Sequence, residues 1–439
     1  MVEILWFRHD LRLADQPAVA AAAAAGEVLP VFVWDEASEG VRPLGGASRW
    51  WLVRSLAALD ADLRARGGRL LVAEGRAAEV LASLAREVGA RAIHATRQTE
   101  PWWEAVEGRL AGLLRLHGWP TLHPAGAVVT RGGGPFRVFT PYWRAHVALG
   151  PPGLPEPAPA AIRFAAVPER ALPRFSPRWA AEFEGVPGEA GARAALAAFV
   201  PSVGSYGQLR DFPSEAATSR LSAHLHFGEI SARACWHAVE GHAGAADWQR
   251  QLVWRDFAHE LIRQHPDSHF VPHRPAFDRM AWTDVTAEPG RGWLKAWQEG
   301  RTGYPLVDAG MRQLWRTGWM HNRVRMIVAS FLVKHLGIDW REGERWFWDT
   351  LVDADLMNNA MGWQWVTGSG VDSQPYYRIF APVGQAERFD AMGYVRRWAP
   401  EYGSVEPVNP IVEHKAAREA ALARFAAIRE GSGGGGAGG

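Results

Sequence analysis

Within thirteen residues, Asp353 to Trp365, the chain places two aspartates (Asp353, Asp355), the adjacent pair Asn358-Asn359 and two tryptophans, Trp363 and Trp365. Aspartate and asparagine are poor helix-interior residues because their side chains compete for backbone hydrogen bonds. A buried carboxylate also needs a partner, so this segment suits something polar and flat. A second cluster, Thr218-Ser219-Arg220-Leu221-Ser222, offers three hydroxyls, a guanidinium and successive backbone amides near a helix start. That chemistry fits a pyrophosphate, although the pentamer alone favours a plain N-cap cluster. A third group, Trp248, Gln251, Trp254 and Arg255, falls at i, i+3, i+6 and i+7 and shares one helical face. Such a stripe is either half-buried packing or a platform that stacks an extruded base. Trp319 to Met326 opens a further helix with Asn322, Arg323 and Arg325, read as a solvated basic turn or as anion contacts.

The elements that must position these residues follow from the rest of the chain. Its 439 residues, 48% hydrophobic and 22% charged, suit a globular protein of two or three domains. The net charge of +1 excludes a global basic field, so any contact with nucleic acid must come from a local patch. A single cysteine, Cys235, excludes a disulfide framework or a thiolate metal cluster, and no metal site is expected. The N-terminus has no signal-peptide pattern, and the alanine run Ala20–Ala25 is too short to span a bilayer; a cytoplasmic location is the expectation. Tryptophans number 23 against 7 tyrosines, which fits either a Trp-rich core or indoles used as electron carriers and stacking platforms.

Short apolar runs at Glu3–Phe7, Val28–Trp34, Arg69–Ala73 and Arg91–Ala95 predict buried parallel strands. Leu52, Leu56, Leu59 and Leu63 predict an intervening helix, stopped at Gly67-Gly68. Alternating strands and helices imply an N-terminal α/β domain with a doubly wound parallel sheet. It lacks a Gly-x-Gly-x-x-Gly fingerprint after its first strand. Residues 151–187 are rich in Pro, Ala and Gly and read as a surface connector. After about residue 190 the pattern is helical, with helices expected at Ser231–Val239, Trp248–Gln264, Leu306–Leu314, Asn322–Leu336, Gly343–Asp349 and Pro410–Arg429. The expected division is 1–130 α/β domain, 131–198 connector, 199–430 all-α C-terminal domain and 431–439 flexible Gly-rich tail.

On these motifs the chain resembles the DNA photolyase and cryptochrome family over about residues 1 to 430, beginning with Trp6-Phe7-Arg8-His9-Asp10-Leu11-Arg12. The resemblance implies that the helical domain binds FAD. It assigns flavin contacts to Tyr206, Thr218, Ser219, Arg220, Leu221, Ser222, Trp248, Gln251, Arg255, Trp319, Asn322, Arg325, Asp353, Asp355 and Asn359. Asn359 matches the residue beside flavin N5, where an amide can hydrogen-bond the N5–H of a reduced flavin. Trp363, Trp340 and Trp282 match the tryptophan chain that reduces the flavin by hopping; Trp282 needs a short insertion at 286–290, and Trp293 and Trp297 compete with it. DNA contacts fall to Arg210, Gln251, Trp254, Arg255, Asn322, Arg323, Trp365, Arg378 and Gln385.

The implied activity is light-driven repair of cyclobutane pyrimidine dimers by electron transfer from excited reduced FAD, in a monomer with UV-damaged DNA as partner. Gln251 stands where dimer photolyases usually have Glu. It still donates and accepts but is no acid. Asn322 and Met326 stand where (6-4) photolyases usually have histidine, which favours the cyclobutane dimer. A cryptochrome photoreceptor is opposed by Asn359 and by the lack of a long C-terminal extension. A non-photochemical flavoenzyme would leave the tryptophans and arginines unexplained. An antenna chromophore, methenyltetrahydrofolate or flavin-type, could stack on Trp102 or Trp103 of Thr99-Glu100-Pro101-Trp102-Trp103, although acidic contacts for it are not apparent.

Overall fold

The computed structural model describes residues 1–166 and 171–433 and divides the chain into two units. The first comprises residues 1–178, 185–207 and 219–266; the second comprises 179–184, 208–218 and 267 onward.

The first unit is built on five parallel strands, β1 (Val2–Phe7), β2 (Glu27–Trp34), β3 (Leu71–Glu74), β4 (Ala92–Thr96) and β5 (Leu114–His117), in the order β3-β2-β1-β4-β5. Helices Pro17–Ala25, Gly46–Arg64, Ala77–Glu87 and Trp102–Arg109 connect them. This is the expected doubly wound sheet. Strand β1 is almost wholly buried because helices cover both faces of such a sheet. Pro30 is tolerated inside β2 because pairing with β3 starts only at Val31, opposite Leu71, so the missing N–H spoils no bond on that side. Strand β5 has no counterpart in the expected elements: four residues with Arg115 and His117 carry little apolar signal, as befits an edge strand.

The observed division differs from the expected one. Residues 139–148 and 189–199 are helices rather than connector, and 219–266 group with the sheet. The physical reason is a set of long-range bonds within that unit. The buried Glu229 carboxylate accepts from Trp51 Nε1 at 3.1 Å and Gly188 N at 2.7 Å, and also pairs with Ser55 and His224. Asp256 accepts from Leu122 N at 2.9 Å, and Leu11 N donates to Phe227 O at 3.0 Å.

The second unit is helical: Gly290–Gln298, Pro305–Thr317, Asn322–Ser330, Trp340–Thr350, Leu356–Thr367, Pro382–Arg388, Met392–Trp398 and His414–Gly433. The expected helix Asn322–Leu336 changes at Phe331–His335 into a π turn. Gly318, with φ 67°, ends helix 305–317 in the left-handed conformation that favours glycine. The last helix runs into the expected tail as far as Gly433; residues 434–439, like 167–170, lie outside the described residues.

Candidate functional site

The second unit holds most of the expected polar residues, and it pairs them with each other. Asp353 and Arg325 form a two-pronged ion pair, Nη1 to Oδ1 at 3.1 Å and Nη2 to Oδ2 at 2.9 Å, while Arg325 Nε donates to Met320 O at 2.7 Å. Such a fork is the strongest carboxylate geometry available to arginine. Trp319 joins the group, its ring 5.9 Å from the Arg325 guanidinium. Asp355 sits at the N-cap of helix 356–367, accepting from Asn358 N at 2.8 Å and Asn358 Nδ2 at 2.7 Å. The aspartates therefore precede the helix, which removes the objection to Asp inside one.

Asn359 is buried, and its Nδ2 donates to Glu344 O at 3.1 Å and Glu344 Oε1 at 2.8 Å. With both amide hydrogens so placed, the carbonyl oxygen is the atom Asn359 presents as an acceptor.

Arg323 pairs with Asp211 at 2.7 Å and lies 4.5 Å over the Phe389 ring. Arg210 approaches the other oxygen of Asp211 at 3.8 Å, so one carboxylate gathers two arginines. His321 caps helix 322–330 by accepting from Arg323 N at 3.2 Å. Burial pushes its imidazole down to about 4, with Asp211 opposing and Arg325 and Arg323 adding to the depression. Asn322 is exposed, its amide directed at Met326 Sδ. Trp365 and Gln385 are half-buried and Arg378 is exposed.

Trp340 and Trp363 are buried and Trp282 is half-buried. Their indole nitrogens have no protein hydrogen-bond partner among the described residues. An indole is readily oxidised and packs edge-on in a core, which suits electron hopping. Trp363 makes edge contacts with Phe347 at 5.0 Å and Trp297 at 6.3 Å. It lies over Gly343, where an added Cβ would come within 2.0 Å of its ring, one helical turn from Trp340. Trp297 differs: fully buried, it donates its Nε1–H to Val328 O at 2.9 Å.

In the first unit the expected residues are engaged in packing. Trp248 is buried against Phe199 at 5.2 Å, and Tyr206 packs edge-on to the same Phe199 at 5.8 Å. Trp254 stacks flat on Phe139, centroids 3.5 Å apart and planes 8° apart, so one face of this indole is taken. Gln251 is half-buried and donates to Asp247 O one turn back. Arg255, expected at a phosphate, donates to Pro120 O at 2.8 Å and Leu225 O at 3.4 Å. Here it acts as a strut along a cavity of about 150 Å³ lined also by His9, Arg12, Trp119 and His123. Ser219 and Ser222 are accessible and Leu221 is buried. Arg220 adopts φ 56°, an uncommon left-handed conformation for a side-chain-bearing residue, as found where backbone amides form anion-binding turns. Thr218, just before it, counts with the second unit. Of the two candidate antenna platforms, Trp102 is buried, and Trp103 packs edge-on to Trp6 at 5.5 Å with Arg8 5.0 Å from its ring.

Sequence reasoning missed Glu344, Gly343, Asp211 and Phe139. Each acts on a residue far away in the chain, and none carries a local signal. Gly343 comes nearest, as a glycine inside a helix, which often marks close approach. Among the described residues no His, Cys, Asp or Glu group could hold a metal, and no helix is long and apolar enough to cross a membrane.

A parallel sheet in one unit, and in the other a helical array with a buried amide acceptor, a forked arginine and indoles without a protein hydrogen-bond partner among the described residues, form a scaffold that could hold a flat polar cofactor and pass electrons to it. Residues 3–160 match the family described as DNA photolyase, and residues 248–408 match the FAD binding domain of DNA photolyase. The chain is 43% identical to the deoxyribodipyrimidine photo-lyase of Agrobacterium fabrum, over 97% of this chain and 98% of that one. The crystal structure of a bacterial class III photolyase from Agrobacterium tumefaciens superposes with a TM-score of 0.90 at 41% identity, covering 98% of each chain. An archaeal photolyase from Sulfolobus tokodaii, described with two FAD molecules, has a TM-score of 0.81 at 28% identity, covering 97% of this chain and 100% of that one. The chain belongs to the DNA photolyase family.

Proposed function

We propose that this protein is a deoxyribodipyrimidine photo-lyase that repairs cyclobutane pyrimidine dimers in UV-damaged DNA under near-ultraviolet or blue light, acting as a cytoplasmic monomer. When bound, fully reduced FAD supplies the photoexcited electron that opens the cyclobutane ring and to which the electron returns. The observation that carries the reading is Asn359, whose amide hydrogens are both held by Glu344, so its oxygen would be left to accept from a proton-bearing flavin nitrogen. Asp353 and Arg325, paired with each other so that neither charge is left alone, would hold the polar edge of the ring system. Asp355 and Trp319 complete that wall, and Tyr206 with residues 218–222 carries over as the phosphate-side set.

Trp363, Trp340 and Trp282 relay electrons inward. Trp365 and Trp254 each offer an indole on which an extruded base can stack. Each stacked base is worth roughly 1–3 kcal/mol, against a few kcal/mol for extrusion, less at a damaged step. Stacking on an indole therefore offsets extrusion more readily at a dimer than at an intact pair. Arg210, Arg323 and Arg378 contact phosphates, with Gln385 beside them, while Gln251 and Asn322 hydrogen-bond the lesion. A second, light-gathering chromophore is part of the reading. Trp102 is buried and Trp103 packs on Trp6, and the chromophore is of the methenyltetrahydrofolate or flavin type.

The test mixes purified, FAD-reduced protein with oligonucleotides carrying either a cyclobutane thymine dimer or a (6-4) photoproduct, and follows restored thymine absorbance under blue light against dark controls. Cleavage of the cyclobutane dimer alone is expected. Binding of the lesion without cleavage would place the chain with the photoreceptors instead.

A further inference from the structure

The most deeply buried amine of the second unit has no part in the chemistry above. Lys334 lies in the π turn Phe331–His335 with no exposed surface. Burial, with the Arg378 charge adding to it, pushes its ammonium down to about 7. Among the described residues it pairs with no carboxylate. Its Nζ donates to the backbone carbonyl of Arg378 at 2.9 Å and lies 5.5 Å from the Tyr376 ring. Gln374 Nε2 donates to the same carbonyl at 3.0 Å, so one oxygen takes two buried donors. The surroundings hold this arrangement from behind: Tyr376 stacks on Phe425 of the last helix at 5.0 Å, and Arg424 donates to Lys334 O at 3.0 Å. The Arg378 side chain, by contrast, is exposed.

A buried ammonium with no counter-charge is costly, and an apolar side chain of similar volume at such a site is often neutral or stabilising. Packing alone therefore does not account for Lys334. What it fixes is the main chain of the one residue in the 374–380 segment that carries a cation to the surface. We propose that Lys334 is a positioning residue for substrate binding, which with Gln374 clamps the Arg378 carbonyl and so aims the Arg378 guanidinium at a phosphate of the damaged strand. The inference rests on the phosphate role given to Arg378 above.

The test is a double-mutant cycle, read by fluorescence anisotropy in the dark on a duplex carrying one cyclobutane thymine dimer, with holoenzyme. Lys334→Met should weaken binding about tenfold, the size of one lost charge-assisted hydrogen bond, while flavin content stays the same and the melting temperature holds or rises. Arg378→Ala should weaken it at least as much, and the double variant no further, because the two act through one contact. Gln374→Met, at the same carbonyl, should repeat the pattern and serves where Lys334→Met does not fold. Unchanged affinity in the variants of both clamp residues, or losses that add to that of Arg378→Ala, overturns the proposal. If Arg378→Ala binds as wild type while wild type repairs the dimer, this inference fails and the photolyase reading stands. If wild type repairs no dimer, that reading itself has failed.

Discussion

The two units carry their functional side chains in opposite ways. In the second unit the polar residues satisfy one another: Arg325 with Asp353, Asn359 with Glu344, Arg323 with Asp211. In the first unit the corresponding residues are fixed by packing and backbone carbonyls: Trp254 against Phe139, Trp248 against Phe199, Arg255 on Pro120 O. The difference follows from what each must present. A charge or an amide has to keep a partner to avoid a desolvation penalty, so it is oriented by other polar groups. An indole needs only a flat neighbour to hold one face and leave the other. Electrostatic sites are therefore sensitive to loss of a single partner, and aromatic sites to loss of volume.

The comparison can be broken or sharpened in a descending series. Trp363→Phe should abolish photoreduction of the flavin while sparing repair by chemically reduced enzyme; absorbance under continuous blue light decides it, and unchanged photoreduction would sink the hopping assignment. Asp353→Ala should lower flavin retention on the order of 100-fold, because breaking a mostly buried pair strands Arg325; the flavin-to-protein absorbance ratio after dialysis reads this. A variant that keeps its FAD would show that the pairing is dispensable.

Acid should strike the second unit through its buried imidazoles. Burial holds His321 down to about 4 and His335 down to about 3, below the ordinary 6.5. For His335 the neighbouring His414 and Lys334 add to the effect. The unfolded chain thus takes up protons first as pH falls. The stability carried by neutral His321 is complete above pH 6.5 and lost toward pH 4, on the order of 3 kcal/mol. Hydrogen exchange between pH 7 and 4.5 should show residues 322–336 losing protection while β1 keeps it; equal loss in both would contradict this.

Phe139→Leu, on the aromatic side, should cost about tenfold in dimer affinity, roughly one aromatic pair, with flavin content unchanged. A larger effect on flavin than on DNA would overturn the stacking role given to Trp254. The smallest change is expected from Gln251→Glu, which should leave repair intact or faster by a few-fold at most; a large fall in dimer cleavage would show that the amide is required.

Local reading located four of the five strands and four of the eight helices of the second unit, because apolar periodicity and caps act within one or two turns. Asp355 belongs to this class: its capping bond reaches only to Asn358. The same reading placed Trp363 and Asn359 within the candidate site but missed what surrounds them. Trp297, a mere competitor on spacing, turns out to pack against Trp363. Arg255, on the same helical face as Trp248, Gln251 and Trp254, donates to the carbonyls of Pro120 and Leu225, contacts that no spacing could reveal. Strand β5 and the grouping of residues 219–266 with the sheet escaped for the same reason.

By itself, then, the sequence determined the chemistry on offer: an amide at 359, carboxylates at 353 and 355, oxidisable indoles, and arginines enough for a local patch in a chain of net charge +1. It also determined the alternation that makes a parallel sheet and the caps that start the helices. Tertiary structure alone decided the partners. Glu344 orients Asn359 from 15 residues away, Arg325 and Asp353 meet across 28, and Lys334 reaches the carbonyl of Arg378 across 44. Contacts at such separations form only when the packed core brings distant segments together and excludes water, and that exclusion gives each polar pair its strength.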